Sequence, residues 1–314
     1  MKLKQFPLIA FFLFLASITK ADELRLFKIG LLEKATPDSA DVVLISLSDI
    51  YLLSEHPDSL AIPAVSDKTE AESKYLKLND TYRKRFLTGA KISEADKIFI
   101  YDYSTNTLKS VPVKSLQVVA CLNIYGAEFP YTQFDYMIGF EIDRKLLNGF
   151  DKYFENTLVT ISKTNPFLAV QLKKIAWNKI EQENYPLQPI NTKDSISLYE
   201  FFARFKYEVS SVYEFISDEH HLFIQDITIK ENQWTSAKRL IVVDAKSKIV
   251  IKEKIFYNGE SATFAPIENQ WTGKLFKHKP PVIFGFQYIS FGCPHLTFLD
   301  SISSDIYINC DNRH

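Results

Sequence analysis

Arg239-Leu-Ile-Val-Val-Asp244, Ala245-Lys-Ser-Lys248 and Ile249-Val-Ile-Lys-Glu-Lys-Ile-Phe256 are the stretch from which the fold is read. Two runs rich in β-branched residues flank a short polar segment, which is the pattern of antiparallel strands joined by a hairpin loop. Just upstream, residues 222–229 alternate as a strand does. Downstream, 282–289 and 305–308 read as further strands.

The same signals recur towards the N-terminus. Residues 24–29 and 42–53 are strand-like, and 96–103 and 108–113 flank Ser-Thr-Asn as a second hairpin. Residues 117–125 and 134–142 then complete an antiparallel meander. Helical periodicity is rarer. Asp67 can cap a helix on which Ala71, Tyr75, Leu78, Tyr82 and Phe86 recur at three- and four-residue steps, with Gly89 at its stop. Asn165-Pro166 opens a second helix over 167–181, with Leu168, Leu172, Ile175, Ala176 and Ile180 on one side. A third is expected over 197–215. The expectation is an α+β protein, predominantly antiparallel β-sheet with two or three inserted helices.

Pro186 and Pro189 interrupt the pattern. They suggest an N-terminal α+β region, 22–185, and a C-terminal β-rich region, 186–314, with one continuous domain as the alternative. Glu231-Asn-Gln-Trp-Thr235 recurs as Glu268-Asn-Gln-Trp-Thr272 and reads as a duplicated hairpin or as coincidence.

The first residues carry an address. Lys2 and Lys4 precede an apolar run over 6–18, and Thr19-Lys20-Ala21 follows before Asp22-Glu23. Positive charge, a short apolar segment and small residues in that order form a secretory signal peptide, with cleavage expected after Ala21. The run is short for a membrane span, so a mature chain with no span, soluble and either periplasmic or secreted, is expected. Removing 1–21 takes away three lysines and no acid, moving the net charge from −1 to −4. An exported chain can form disulfides. Cys293 and Cys310 are 17 positions apart across a loop rich in Ser and Asp, so they are the expected pair. Cys121, inside an apolar run, is then a buried thiol outside the bridge.

Composition excludes several chemistries. The chain of 314 residues has 37 Lys+Arg against 38 Asp+Glu, so no basic footprint for nucleic acid exists. It has 9 Gly, and neither G-x-G-x-x-G, a P-loop nor a G-x-S-x-G elbow occurs. No cofactor is therefore expected. Glu141 and Asp143, at i and i+2 on one strand face, are the weak catalytic candidates, as an acid and base for glycoside hydrolysis. His220 and His221 are adjacent and diverge. His295, Asp311 and His314 could meet if a Cys293–Cys310 bridge folds the tail back, and they are the weak metal candidates. Aromatics make up 14% of the chain. Phe99, Tyr101 and Tyr103, and then Phe284, Phe286 and Tyr288, alternate so that each triplet shares a sheet face, and burial of both faces is expected. The functional expectation is a non-catalytic exported protein that binds a protein or a glycan. The alternative is an exported hydrolase using scattered carboxylates or histidines.

Overall fold

A computed structural model describes residues 24–31, 42–53, 60–123, 128–186, 206–229, 236–259, 263–288 and 293–310. Nineteen strands and two α-helices form among them, arranged in three sheets. The expectation of a chain dominated by antiparallel sheet holds.

A central sheet has nine strands. In spatial order they are β10 (Lys173–Lys174), β16 (Trp271–Gly273), β17 (Val282–Phe284), β18 (His295–Phe298), β19 (Ile306–Asn309), β1 (Leu26–Phe27), β9 (Thr157–Ser162), β5 (Lys97–Asp102) and β6 (Thr107–Pro112). Strands from both sides of Pro186 thus share this sheet. They join twice, where β1 pairs parallel with β19, Leu26 opposite Ile308, and where β10 pairs with β16, Lys174 opposite Trp271; apart from β1–β19 the ladders are antiparallel among the described residues.

A five-stranded N-terminal sheet runs β2 (Ile29–Leu31), β3 (Val42–Ser46), β8 (Tyr136–Asp143), β7 (Val118–Leu122) and β4 (Tyr75–Lys77). A five-stranded C-terminal sheet runs β11 (Asn178–Ile180), β12 (Tyr207–Ile216), β13 (His220–Ile229), β14 (Ser236–Asp244) and β15 (Val250–Tyr257). Its β14–β15 hairpin is the one read from the sequence. Asp244 Oδ1 turns it by accepting from the Lys246 and Ser247 amides at 3.1 and 2.7 Å, and Lys248 takes φ 59°.

Strand alternation divides the central sheet between three cores. Phe99, Tyr101 and Tyr103, with Leu158, Phe284, Leu296 and Phe298, fill its inner face. On the outer face, Ile98, Ile100 and Val159 join Phe86, Phe140 and Ile45 under the N-terminal sheet. Ile283 and Leu299 join Leu240, Val242 and Phe256 under the C-terminal sheet.

Several expected elements are corrected. The helix expected after Asp67 is three elements. Thr69 caps α1 (Glu70–Ser73), β4 follows, and Asn79 caps α2 (Asp80–Ala90), its Oδ1 accepting from the Thr81 amide at 3.0 Å. Leu76 and Leu78 are buried two residues apart, so a strand period lies inside what reads as a helical one. Gly89 lies inside α2, against Tyr51, and the helix ends at Lys91 in the left-handed region. The helix expected over 167–181 is absent. Ala169 at φ 54° breaks it, and Phe167 and Leu172 anchor in the inner core while Ile175 anchors in the C-terminal one. Residues 207–215, expected to be helical, lie in β12; residues 197–205 lie outside the described residues. The meander is also split. β5 and β6 belong to the central sheet, and β7 and β8 to the N-terminal one.

Candidate functional site

A cavity of about 580 Å³ opens at one end of the central sheet's inner face. Tyr103, Trp271 and Phe284 line it as an interlocked trio, with Tyr103 edge-on to Trp271 at 5.3 Å and to Phe284 at 5.0 Å between ring centroids. Tyr153, Phe154 and Tyr288 extend the aromatic wall. Asn156, Asn269 and Gln287 supply amides, Lys28 and Lys174 supply amines, and Glu155 is the one carboxylate among the lining residues.

Local sequence places these groups. Lys28 stands where the chain leaves β1 for β2, and its Nζ donates to the Glu155 carbonyl at 2.8 Å. Burial lowers the Lys28 amine to about 8, against the opposing pull of Glu155, Asp102 and Asp151. Asp102, fully buried at the end of β5, organises that corner. Its Oδ1 accepts from the Ser104 amide at 2.8 Å and its Oδ2 from the Asp151 amide at 2.7 Å; Asp151 Oδ2 accepts from the Glu155 amide at 2.9 Å.

The opposite wall depends on Gly285. Its φ of 91° ends the alternation of β17, so Phe284 enters the inner core while Phe286 turns into the C-terminal core. The expected single face of Phe284, Phe286 and Tyr288 is therefore not formed, and Tyr288 is 46% exposed at the cavity. A Cβ at Gly285 would stand 2.4 Å from the Asn269 carbonyl oxygen. Buried Gln270 fastens the same corner. Its Nε2 donates to the Pro266 and Gly285 carbonyls at 2.9 and 2.8 Å, and its Oε1 accepts from Trp177 Nε1 at 3.1 Å. The second Glu-Asn-Gln-Trp-Thr copy is thus the corner that presents Trp271; the first lies outside the described residues.

His295 forms part of the cavity edge and is engaged behind it. Its Nε2 lies 2.6 Å from Lys254 Nζ, which also bonds the Asp305 carboxylate and Thr297 Oγ1. Burial first, and then the Lys254 charge, lower the imidazole to about 4, so it is neutral near pH 7 and Nε2 serves as an acceptor. Asp311 and His314 lie outside the described residues, among which no group of three His, Cys, Asp or Glu side chains could hold a metal ion.

Glu141 and Asp143 sit on β8 in the N-terminal sheet, away from the cavity lining. Glu141 accepts from the Tyr75 hydroxyl, and Asp143 Oδ1 accepts from the Lys145 amide at 2.8 Å. Arg144 donates to the Lys152 carbonyl and lies over the Phe154 ring at 5.5 Å. His220 is buried, and His221 pairs with Glu214 at 3.0 Å. Cys293 and Cys310 are bonded, Cα to Cα 5.6 Å, tying the entry of β18 to the exit of β19; Cys121 is buried outside that bond. The bond suits an oxidising compartment. No helix among the described residues is long and apolar enough to cross a membrane.

No family model, curated protein or solved structure matches this chain.

Proposed function

We propose that the chain is a non-catalytic binding protein of the periplasm or cell exterior, exported by a signal peptide over 1–21 cleaved after Ala21, and that its ligand is a glycan held in the aromatic cavity. The observation that carries this reading is the lining itself. Flat aromatic faces stack on the C–H face of a sugar ring, while convergent amides and hydroxyls meet its hydroxyl groups. Trp271 and Tyr288 supply the first, and Asn156 and Asn269 the second. The hydrolase alternative is weaker here, because glycoside hydrolysis takes a pair of carboxylates and Glu155 stands alone among the lining residues.

The test is a glycan array probed with the processed chain, alongside the Trp271→Ala variant. Wild-type binding that disappears in the variant, with its β-sheet circular dichroism retained, is the expected result. A blank array, or binding that Trp271→Ala leaves intact, overturns the reading.

A further inference from the structure

The cavity lining includes hydrogen-bond donors that meet no protein acceptor among the described residues. Tyr103 is 7% exposed, yet its hydroxyl meets no protein acceptor among the described residues. Burial, together with the carboxylates of Asp102, Asp151 and Glu155, pushes its phenol far above the ordinary value, so it stays a protonated donor. Trp271 carries an indole N–H, a donor only, that also has no partner among the described residues. Lys28 commits one N–H to the Glu155 carbonyl and keeps two. Lys174 adds a second amine at the exposed rim. The lining side chains bring two amines and one carboxylate, with His295 neutral, and the Asp102 and Asp151 carboxylates act on Lys28 from outside the lining.

These donors open onto the cavity, where a ligand's oxygen can take the place of water as their acceptor. Charge-assisted bonds from an amine to a carboxylate are the stronger kind. We infer that the glycan is acidic, with its carboxylate seated against Lys28 and its neighbouring oxygens accepting from Tyr103 and Trp271. This rests on the cavity reading above and specifies its ligand class.

Lys28 gives the inference a readout of its own. With its amine held near 8, about half the molecules lack that proton at pH 8. A bound carboxylate favours the charged form and draws a proton in. The probes are digalacturonate and its neutral counterpart galactobiose, titrated calorimetrically into the processed chain at pH 8 in two buffers of different ionisation enthalpy. Digalacturonate is expected to bind at least tenfold more tightly and to take up about half a proton per molecule bound, with galactobiose taking up none. Lys28→Met is expected to lose both the preference and the uptake, and Lys28→Arg to restore the preference; the wild-type uptake needs no variant to fold. Equal or tighter binding of galactobiose, or uptake that is absent in the wild type or persists in Lys28→Met, overturns the acidic ligand and leaves the cavity reading standing. Binding of neither sugar, with a blank array, overturns both.

Discussion

Tyr103 and Phe284 meet edge to face, 5.0 Å apart at an interplanar angle of 81°, although their strands lie five positions apart in one sheet. Tyr103 directly follows β5, and Phe284 ends β17; β9, β1, β19 and β18 stand between them. Five steps of about 4.8 Å would separate the strands by roughly 24 Å in a flat sheet. The contact therefore requires the sheet to curl until its inner face closes on itself. Curling of this kind forms the cavity, because the two aromatic walls belong to segments that only curvature brings together.

Tyr103 is the residue at which structure and binding can be separated. Its ring packs on Trp271 and Phe284, while its hydroxyl bonds no protein group among the described residues. Tyr103→Phe keeps the ring and breaks no protein hydrogen bond, so unfolding should shift by less than about 1 kcal/mol. Tyr103→Ala removes a buried ring and should cost about 3–5 kcal/mol. Denaturant unfolding of both variants checks the contrast, and a large loss in Tyr103→Phe would mean the hydroxyl has a structural role.

Gly285→Ala should damage the cavity wall from the backbone. At φ 91° an added Cβ is strained and meets the Asn269 carbonyl oxygen at 2.4 Å. A loss of at least about 1–3 kcal/mol is expected. Because Gly285 and Asn269 both line the cavity, glycan binding should fall with stability. A thermal melt with an array measurement on the same sample tests this, and an unchanged melting temperature would show that the corner relaxes freely.

The Cys293–Cys310 bond closes a loop of 17 residues around the β18–β19 hairpin. Constraint of the unfolded chain by such a loop contributes about 3 kcal/mol. The doubly substituted Cys293→Ser, Cys310→Ser protein should unfold at correspondingly lower denaturant. It should also bind the cavity ligand less well, because His295 and Ile308 stand on the strands that the bond ties. Equal midpoints for the two proteins would remove the bond from any account of stability.

The sequence made local pairings legible and left their assembly hidden. The β14–β15 hairpin could be read because Asp244 and Ser247 make its turn from neighbouring residues. The curl could not, since it depends on Leu26 pairing with Ile308 across almost the whole chain. The expected 167–181 helix failed for a related reason. Leu172 and Ile175 have helical spacing, but they serve two different cores. Tyr103 and Trp271 read as a core residue and as part of an echo, and only closure of the sheet makes them neighbours. Lys28 gave no signal at all; its meaning comes from Glu155, which Asp102 and Asp151 hold beside it.

Acid should weaken the same wall through His295. In the folded chain its imidazole is lowered to about 4, against about 6.5 when unfolded. Between those values the unfolded state binds a proton that the folded state does not, so stability falls as pH drops from about 6.5 to about 4. Below that both states are protonated and the loss stops growing. The full effect is on the order of 3 kcal/mol at most, since one pKa unit corresponds to about 1.4 kcal/mol. Neighbouring Lys254 and Asp305 share the network, so His295→Gln is the informative comparison: it retains an acceptor for Lys254 and cannot take up the proton. Its unfolding free energy, measured from pH 7 to pH 4, should decline less steeply than that of the wild type. Parallel curves for the two proteins would show that His295 does not set the acid sensitivity.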